Sequence, residues 1–285
     1  MNYKNVNFDL YRYQLLPITQ NVQPDLYREI LTKEELKRKK NKLFHEVISK
    51  LPNMVSNSGN SLQQKIVLDK ESWFAFKLGT QKTIEIENEN FNRELVDNWP
   101  HVTVIIDNRP DRQLIAVSKN SRAFSSTSVV AKIIKESLKN HLANLQLSMH
   151  IEAIFEEKCF WKLINKNRGK VTSIKFELIS PNMANISKSL KVDLKQINID
   201  TNSHKTCLEL NADDNASLEI QEDNEVIDGL VEYASKGGGD IVLKVNGIKR
   251  SIRTKQTIKT IEIDELTVES LNAESLEILL GALSS

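Results

Sequence analysis

Six cations and no acid fill residues 241–260: Lys244, Lys249, Arg250, Arg253, Lys255 and Lys259, in a chain whose net charge is only +1. Lysine and arginine at this density can neutralise the phosphates of a polyanion, a sequence-tolerant attraction that weakens with salt. The dipeptide Asn246-Gly247 predicts a two-residue hairpin turn. Along the strand expected after it, Lys249, Arg253, Lys255 and Lys259 take odd positions and therefore share one face, with Ser251 and Thr257 between them. Cations two positions apart on a strand stand about 7 Å from one another, a spacing suited to successive phosphates. Lys244 falls on the partner strand and Arg250 on the opposite face. The same strip would also serve as an edge strand that uses lysine to block sheet-to-sheet association, and both readings stay open. Ile261 and Ile263 continue the odd parity beyond Lys259, so a bulge or a change of burial is expected near Thr260.

A second set of residues could do different chemistry. Asp107 ends an apolar run, and Glu156, Glu157 and Lys158 stand together further on. Paired carboxylates can hold magnesium against a scissile phosphate while a lysine orients water, and this set loosely resembles the Asp and Glu-x-Lys of restriction-type nucleases. Asp107 in DNRPD is equally a natural turn residue, and IFEEKCFW an ordinary strand-to-helix boundary, so no catalytic residue is assigned. SKGGGD at 235–240 lacks the Gly-Lys-Ser/Thr ending of a phosphate loop and precedes a strand, which makes it a helix C-cap. Ser125, Ser126 and Ser128 read as capping residues of a helix start. His45, His101, His141, His150 and His204 show no HxH or i,i+4 spacing, and Cys159 and Cys207 no CxxC, so no metal and no cofactor is expected.

The elements that must position these residues belong to a chain of 285 residues, 40% hydrophobic and 27% charged, enough for one large or two modest domains. No apolar run reaches the roughly 18 residues of a membrane span, and no basic segment followed by an apolar one opens the chain. With only two cysteines, the expectation is a cytoplasmic protein without a membrane partner. Charge is segregated: residues 113–177 carry eleven Lys and Arg against five Asp and Glu, and residues 201–240 carry two against ten. Residues 261–285 carry six acids and no cation. Two further basic surfaces are candidates, the helix holding Lys33 to Lys42 and the run Lys158, Lys162, Lys166, Arg168 and Lys170 beside Phe160 and Trp161. Trp161 could stack on a base, but its helical spacing with Phe160 and Leu163 favours the core.

The periodicities predict an α+β fold with two domains. An N-terminal strand is followed by a helix opening at LTKEEL, where Thr32 and Glu35 have capping-box spacing and Leu31 and Leu36 that of a hydrophobic staple. A polar loop after Pro52, a hairpin through SWFAFKLGTQKTIEIENE, a short helix around FNRELVDNW and a strand pair in HVTVIIDNRPDRQLIAVSK complete an α+β domain over residues 1–124. Connecting helices span 125–168, beginning with the long helix through SSTSVVAKIIKESLKNHLANLQ. Residues 169–285 read as a β-α-β-α-β-β domain with the basic hairpin and a terminal acidic helix carrying Leu271, Leu276, Leu279, Leu280 and Leu283. Its first helix is expected to start at Ser180-Pro181.

In HVTVIIDNRPDRQLIAVSK, the long helix after it and RGKVTSIKFELISPNM, over about residues 100–195, the chain resembles the RexA phage-exclusion family and related bacterial defence proteins. The resemblance implies sequence-independent binding of duplex DNA, dimerisation and a part in sensing phage replication; it transfers no individual residue. The expectation is a non-enzymatic, homodimeric DNA-binding component of anti-phage defence with double-stranded DNA as its partner. The alternatives are a subunit that contacts a second protein, the acidic terminal helix being a docking element, and a magnesium-dependent nuclease.

Overall fold

The computed structural model describes residues 5–18, 31–56, 58–180, 201 and 203–265. Within them the chain is α+β, with two main antiparallel sheets and a separate two-stranded hairpin. Strand β1 (Asn5–Pro17) is thirteen residues long and organises the first sheet. One of its edges pairs with β7 (Leu114–Ser118); the other pairs first with β13 (Thr260–Asp264) and then with β8 (Leu147–Ala153). Beyond β7 the order continues through β6 (His101–Asp107), β3 (Trp73–Gly79) and β2 (Gln63–Lys70). Alternation along the central strands sends Tyr13, Leu15, Phe74, Phe76 and Val104 into a core shared with two helices, α1 (Lys33–Ile48) and α2 (Thr127–Ala143). The opposite face buries Phe8, Leu10, Trp73, Ile261 and Ile263 in a smaller cluster.

Helix α1 starts where its capping box requires. The Glu35 amide donates to Thr32 Oγ1 at 3.3 Å, and the Thr32 amide donates to Glu35 Oε2 at 2.8 Å. Lys40, expected on an outer face, is instead buried, its Nζ donating to Gln113 Oε1 at 3.2 Å. Burial, and after it the charge of Lys37, pushes this amine down to about 8. Between about pH 8 and the lysine value near 10.4 the unfolded chain therefore binds more protons than the native one, so stability rises with pH across that window. Lys40→Met is expected to stabilise the protein at pH 7 by about 2 kcal/mol and to flatten that rise, measured by urea unfolding at pH 7 and pH 10. A variant less stable at pH 7, with the rise intact, would place the charge cost elsewhere.

The second sheet has the order β10 (Lys205–Asn211), β9 (Val171–Ile179), β11 (Gly239–Val245) and β12 (Ile252–Arg253). It packs on α3 (Glu157–Lys166) and α4 (Glu225–Tyr233) through Phe160, Trp161, Phe176, Leu230, Val231 and Ile241. Trp161 is thus a core residue, its ring edge-on to Phe160 with 4.9 Å between centroids. Sheet membership does not follow the expected divisions at 124 and 168. Strand β8 joins the first sheet, and after β12 the chain returns to that sheet as β13. The run Gly237-Gly238-Gly239 ends the helical turn after α4, and its first glycine makes a close contact between the sheets. Gly237 has φ 82 and lies against Arg12 of β1, whose Nε donates to the Lys236 carbonyl.

FNRELVDNW is not helical. Residues Arg93–Asn98 form β5, paired with β4 (Lys82–Glu87) from Ile84↔Val96 to Glu87↔Arg93. The cause is a side-chain turn: Asn88 Oδ1 accepts from the amides of Asn90 and Asn92 at 3.0 and 3.1 Å, and Phe91 takes φ 60. This hairpin contributes no residue to any of the three buried clusters and leaves Phe91 and Leu95 at 86% and 76% exposure. The helix expected after Ser180-Pro181 and the terminal acidic helix lie outside the described residues.

Candidate nucleic-acid interface

The cationic strip does not run as one strand. After β11 the chain turns at Asn246-Gly247, with Gly247 at φ 82, and pairs again only at Ile252 and Arg253. A short 3-10 turn, Thr254–Gln256, follows, and then β13 crosses to the first sheet. The change of burial near Thr260 is this change of sheet, with Ile261 and Ile263 packed under β1. The common face of Lys249, Arg253, Lys255 and Lys259 is therefore absent.

The cause is Asp240, a buried carboxylate on β11 that gathers the chain around it. Arg253 Nη1 donates to Asp240 Oδ2 at 2.8 Å, while Thr254 Oγ1 and the Lys255 amide both donate to Oδ1 at 3.2 Å. Lys255 Nζ lies 3.4 Å from Oδ2, and Arg253 also lies 3.6 Å from Glu177. A carboxylate inside a sheet needs such partners, because burial without them costs several kcal/mol. Arg253 and Lys255 thus serve the fold. Although burial opposes it, hydrogen bonds from Lys175 and Lys205 hold the Glu177 carboxyl below its ordinary range. Lys244 pairs with Glu209 at 3.8 Å, and Lys259 is fixed by its backbone between Ile154 and Leu10 at the border of the first sheet.

Lys249 and Arg250 remain, both exposed and without an ion pair among the described residues, on the loop after β11. The structure sets this loop beside the other basic run. Helix α3 ends at Lys166, the turn Asn167–Lys170 leads into β9, and Val171 of β9 pairs with Val245 of β11. The Asn246 amide donates to the Lys170 carbonyl at 2.8 Å, joining the two loops directly. Asn167 Nδ2 caps the end of α3 at the Leu163 carbonyl, 2.8 Å away, and Gly169 takes φ 71, so the turn is sharply defined. Lys166, Arg168, Lys170, Lys249 and Arg250 consequently meet at one end of the second sheet, all exposed and none in an ion pair among the described residues. Lys162 lies one helical turn before Lys166 on the same face of α3. The acids Asp213 and Asp214 follow β10, on the other side of β9.

The carboxylates considered for metal chemistry are not brought together. Asp107 is buried at the end of β6 and held by Arg109 through Nε at 2.9 Å and Nη2 at 2.6 Å, with that guanidinium over the Trp73 ring. Glu156 pairs with Lys158 at 2.6 Å, a hydrogen bond that lowers its carboxyl pKa. Among the described residues no group of three or more His, Cys, Asp or Glu could hold a metal ion. His150 and His204 approach edge-to-face at 6.2 Å, and burial, then Lys135 and His204, bring His150 down to about 4. The glycines of SKGGGD are filled on their far side by the Tyr233 ring and the Glu177 carbonyl, which leaves no room there for a phosphate. No helix among the described residues is long and apolar enough to cross a membrane. The chain matches no known protein-family model, no curated protein and no solved structure.

Proposed function

We propose that this protein binds the phosphate backbone of double-stranded DNA, without sequence preference and without cleaving it, through Lys166, Arg168, Lys170, Lys249 and Arg250. The observation that carries this reading is the hydrogen bond from the Asn246 amide to the Lys170 carbonyl, which sets side by side two basic loops that hold no ion pair among the described residues. Cations already neutralised by buried carboxylates release few counterions from DNA, whereas exposed unpaired ones can each replace a counterion at a phosphate. A place in bacterial anti-phage defence is proposed from the resemblance to the RexA family alone. Fluorescence anisotropy with a random-sequence duplex over a salt series tests the binding. With four or five phosphates contacted, log Kobs against log salt should fall with a slope of about −4. Absence of binding at about 50 mM salt, where phosphate contacts are strongest, ends this reading.

The exposed apolar residues of the β4–β5 hairpin favour a second role, contact with another protein subunit or a second copy of the chain. Sedimentation equilibrium that finds a monomer at every concentration would end the homodimeric form of it.

A further inference from the structure

A cavity of about 990 Å³ opens between the first turns of α2, the edge of β8 and the segment 255–258. It shares no residue with the basic end of the second sheet. Beneath it Thr127 Oγ1 donates to Asp9 Oδ2 at 2.6 Å and lies 2.7 Å from the Tyr11 hydroxyl, while Lys119 Nζ and Thr260 Oγ1 reach Asp9 Oδ1 at 2.9 and 2.7 Å. This network holds the start of α2 from below. Capping is therefore not what fixes it: Ser126, at the N-cap position, makes no side-chain cap bond, and its Oγ lies instead 2.7 Å from Ser128 Oγ. The Thr127 and Ser128 amides, without an acceptor among the described residues, carry the positive end of a seventeen-residue helix to the cavity wall, while the Val129 amide is taken by the Ser126 carbonyl.

Two further features come from other groups. Lys132 and Lys135 line the cavity along α2, and neither has an ion pair among the described residues; Lys132 is one turn from Ser128 and so on its face. Glu152 of β8 is among the lining residues; its carboxyl has no hydrogen bond or ion pair among the described residues, and its pKa is raised by burial, with Lys255 and Lys135 opposing and Asp240 adding to the rise. Phe124, Val102, Ile151 and Ile258 give it an apolar wall. The volume lies at the upper end of the roughly 300–1,000 Å³ usual for small-molecule sites and far exceeds what an inorganic anion fills.

We propose that this cavity binds a phosphorylated small molecule of the mononucleotide class. Its phosphate lies among the first-turn amides of α2, Ser126, Ser128 and Lys132; Glu152 accepts from its hydroxyl or amino groups; Phe124 and Ile258 cover its flat apolar part. Hydrogen-bond donors around a phosphate and an acceptor across the cavity from them require a ligand with an anionic end and a separate donor end, which a nucleoside monophosphate has and inorganic phosphate is too small to provide.

Isothermal titration of the full chain with 5′-AMP and 5′-GMP, their nucleosides and inorganic phosphate tests this. At least one mononucleotide should bind, with its nucleoside and inorganic phosphate each about tenfold weaker or more. Ser128→Ala combined with Lys132→Gln, and separately Glu152→Gln, should each weaken it by about tenfold, while Lys249→Gln with Arg250→Gln leaves it unchanged. Circular dichroism checks that each variant is folded, and Glu152→Gln carries the test should the double variant fail to fold. The proposal is overturned if neither mononucleotide binds at about 5 mM, if nucleoside and nucleotide bind equally, or if binding survives in the folded cavity variants.

Discussion

Gly239→Ala should unfold much of the protein's stability margin, lowering it by about 3 kcal/mol or more. Gly239 opens β11 in an extended conformation that any residue can adopt, so the argument is space alone. A Cβ there would overlap the carbonyl oxygen of Glu177 and press on the Leu178 Cα, both backbone atoms of β9. A crowded side chain can rotate away, but a paired backbone can move only by giving up its ladder, here the register Gly239↔Leu178 and Asp240↔Glu177. The shift would also disturb Asp240 and everything bonded to it, from Arg253 to Lys255. Gly79→Ala is the matching control, because its nearest neighbours, His101 Cβ and Pro100 O, would stand at 3.5 and 3.6 Å, and its cost should stay below about 1 kcal/mol. Urea midpoints followed by circular dichroism compare the two. Equal midpoints would overturn this account, because β9 would then make room at Gly239 without losing its ladder to β11.

The elements were legible in the sequence wherever local chemistry decides the outcome. Thr32 and Glu35 mark the start of α1, Asn246-Gly247 marks a turn, and the apolar spacing from Val130 to Leu142 marks α2, each within a few residues of its own signal. Three failures came from local rules losing to something more distant. WFAFKLG and KTIEIE alternate as the two arms of a hairpin would, but WFAFKLG pairs with β2 and β6 and KTIEIE with β5. RELVDN has apolar residues compatible with a helix, but the Asn88 turn delivers it antiparallel to KTIEIE; the ENENFN run was the available signal. The odd-position cations share a face only on an uninterrupted strand, and Asp240, thirteen to fifteen residues earlier, bends that segment into a turn. No period of the basic segment itself carries that information, although an acid beginning an otherwise apolar strand is the kind of residue that must find partners. The pairing of the two basic loops was illegible for the same reason, since residues 166–170 and 249–250 meet only through the register of β9 and β11. The cavity beside α2 was hidden by Ser126 and Ser128, which satisfy each other rather than the helix end that their positions suggest.

That redistribution of charge separates two variants which the sequence would treat alike. Replacing Arg168, Lys170, Lys249 and Arg250 together by glutamine should lower duplex affinity at about 100 mM salt by about 10²–10³-fold and bring the salt slope from about −4 towards −1, because each lost phosphate contact removes about 0.9 from the slope. All four side chains are exposed and free of ion pairs among the described residues, so folding should be little changed. Arg253→Gln with Lys255→Gln removes two cations from the same strip with the opposite signature. Both charges face Asp240, at 2.8 and 3.4 Å, so their loss leaves a buried carboxylate short of partners and should cost about 2 kcal/mol of stability while the slope changes by less than about 1. Anisotropy over a salt series and urea unfolding of both variants read the two axes independently. If the Arg253 and Lys255 variant loses the slope while the loop variant keeps it, DNA lies along the strip and the end of the second sheet is only a solvated surface.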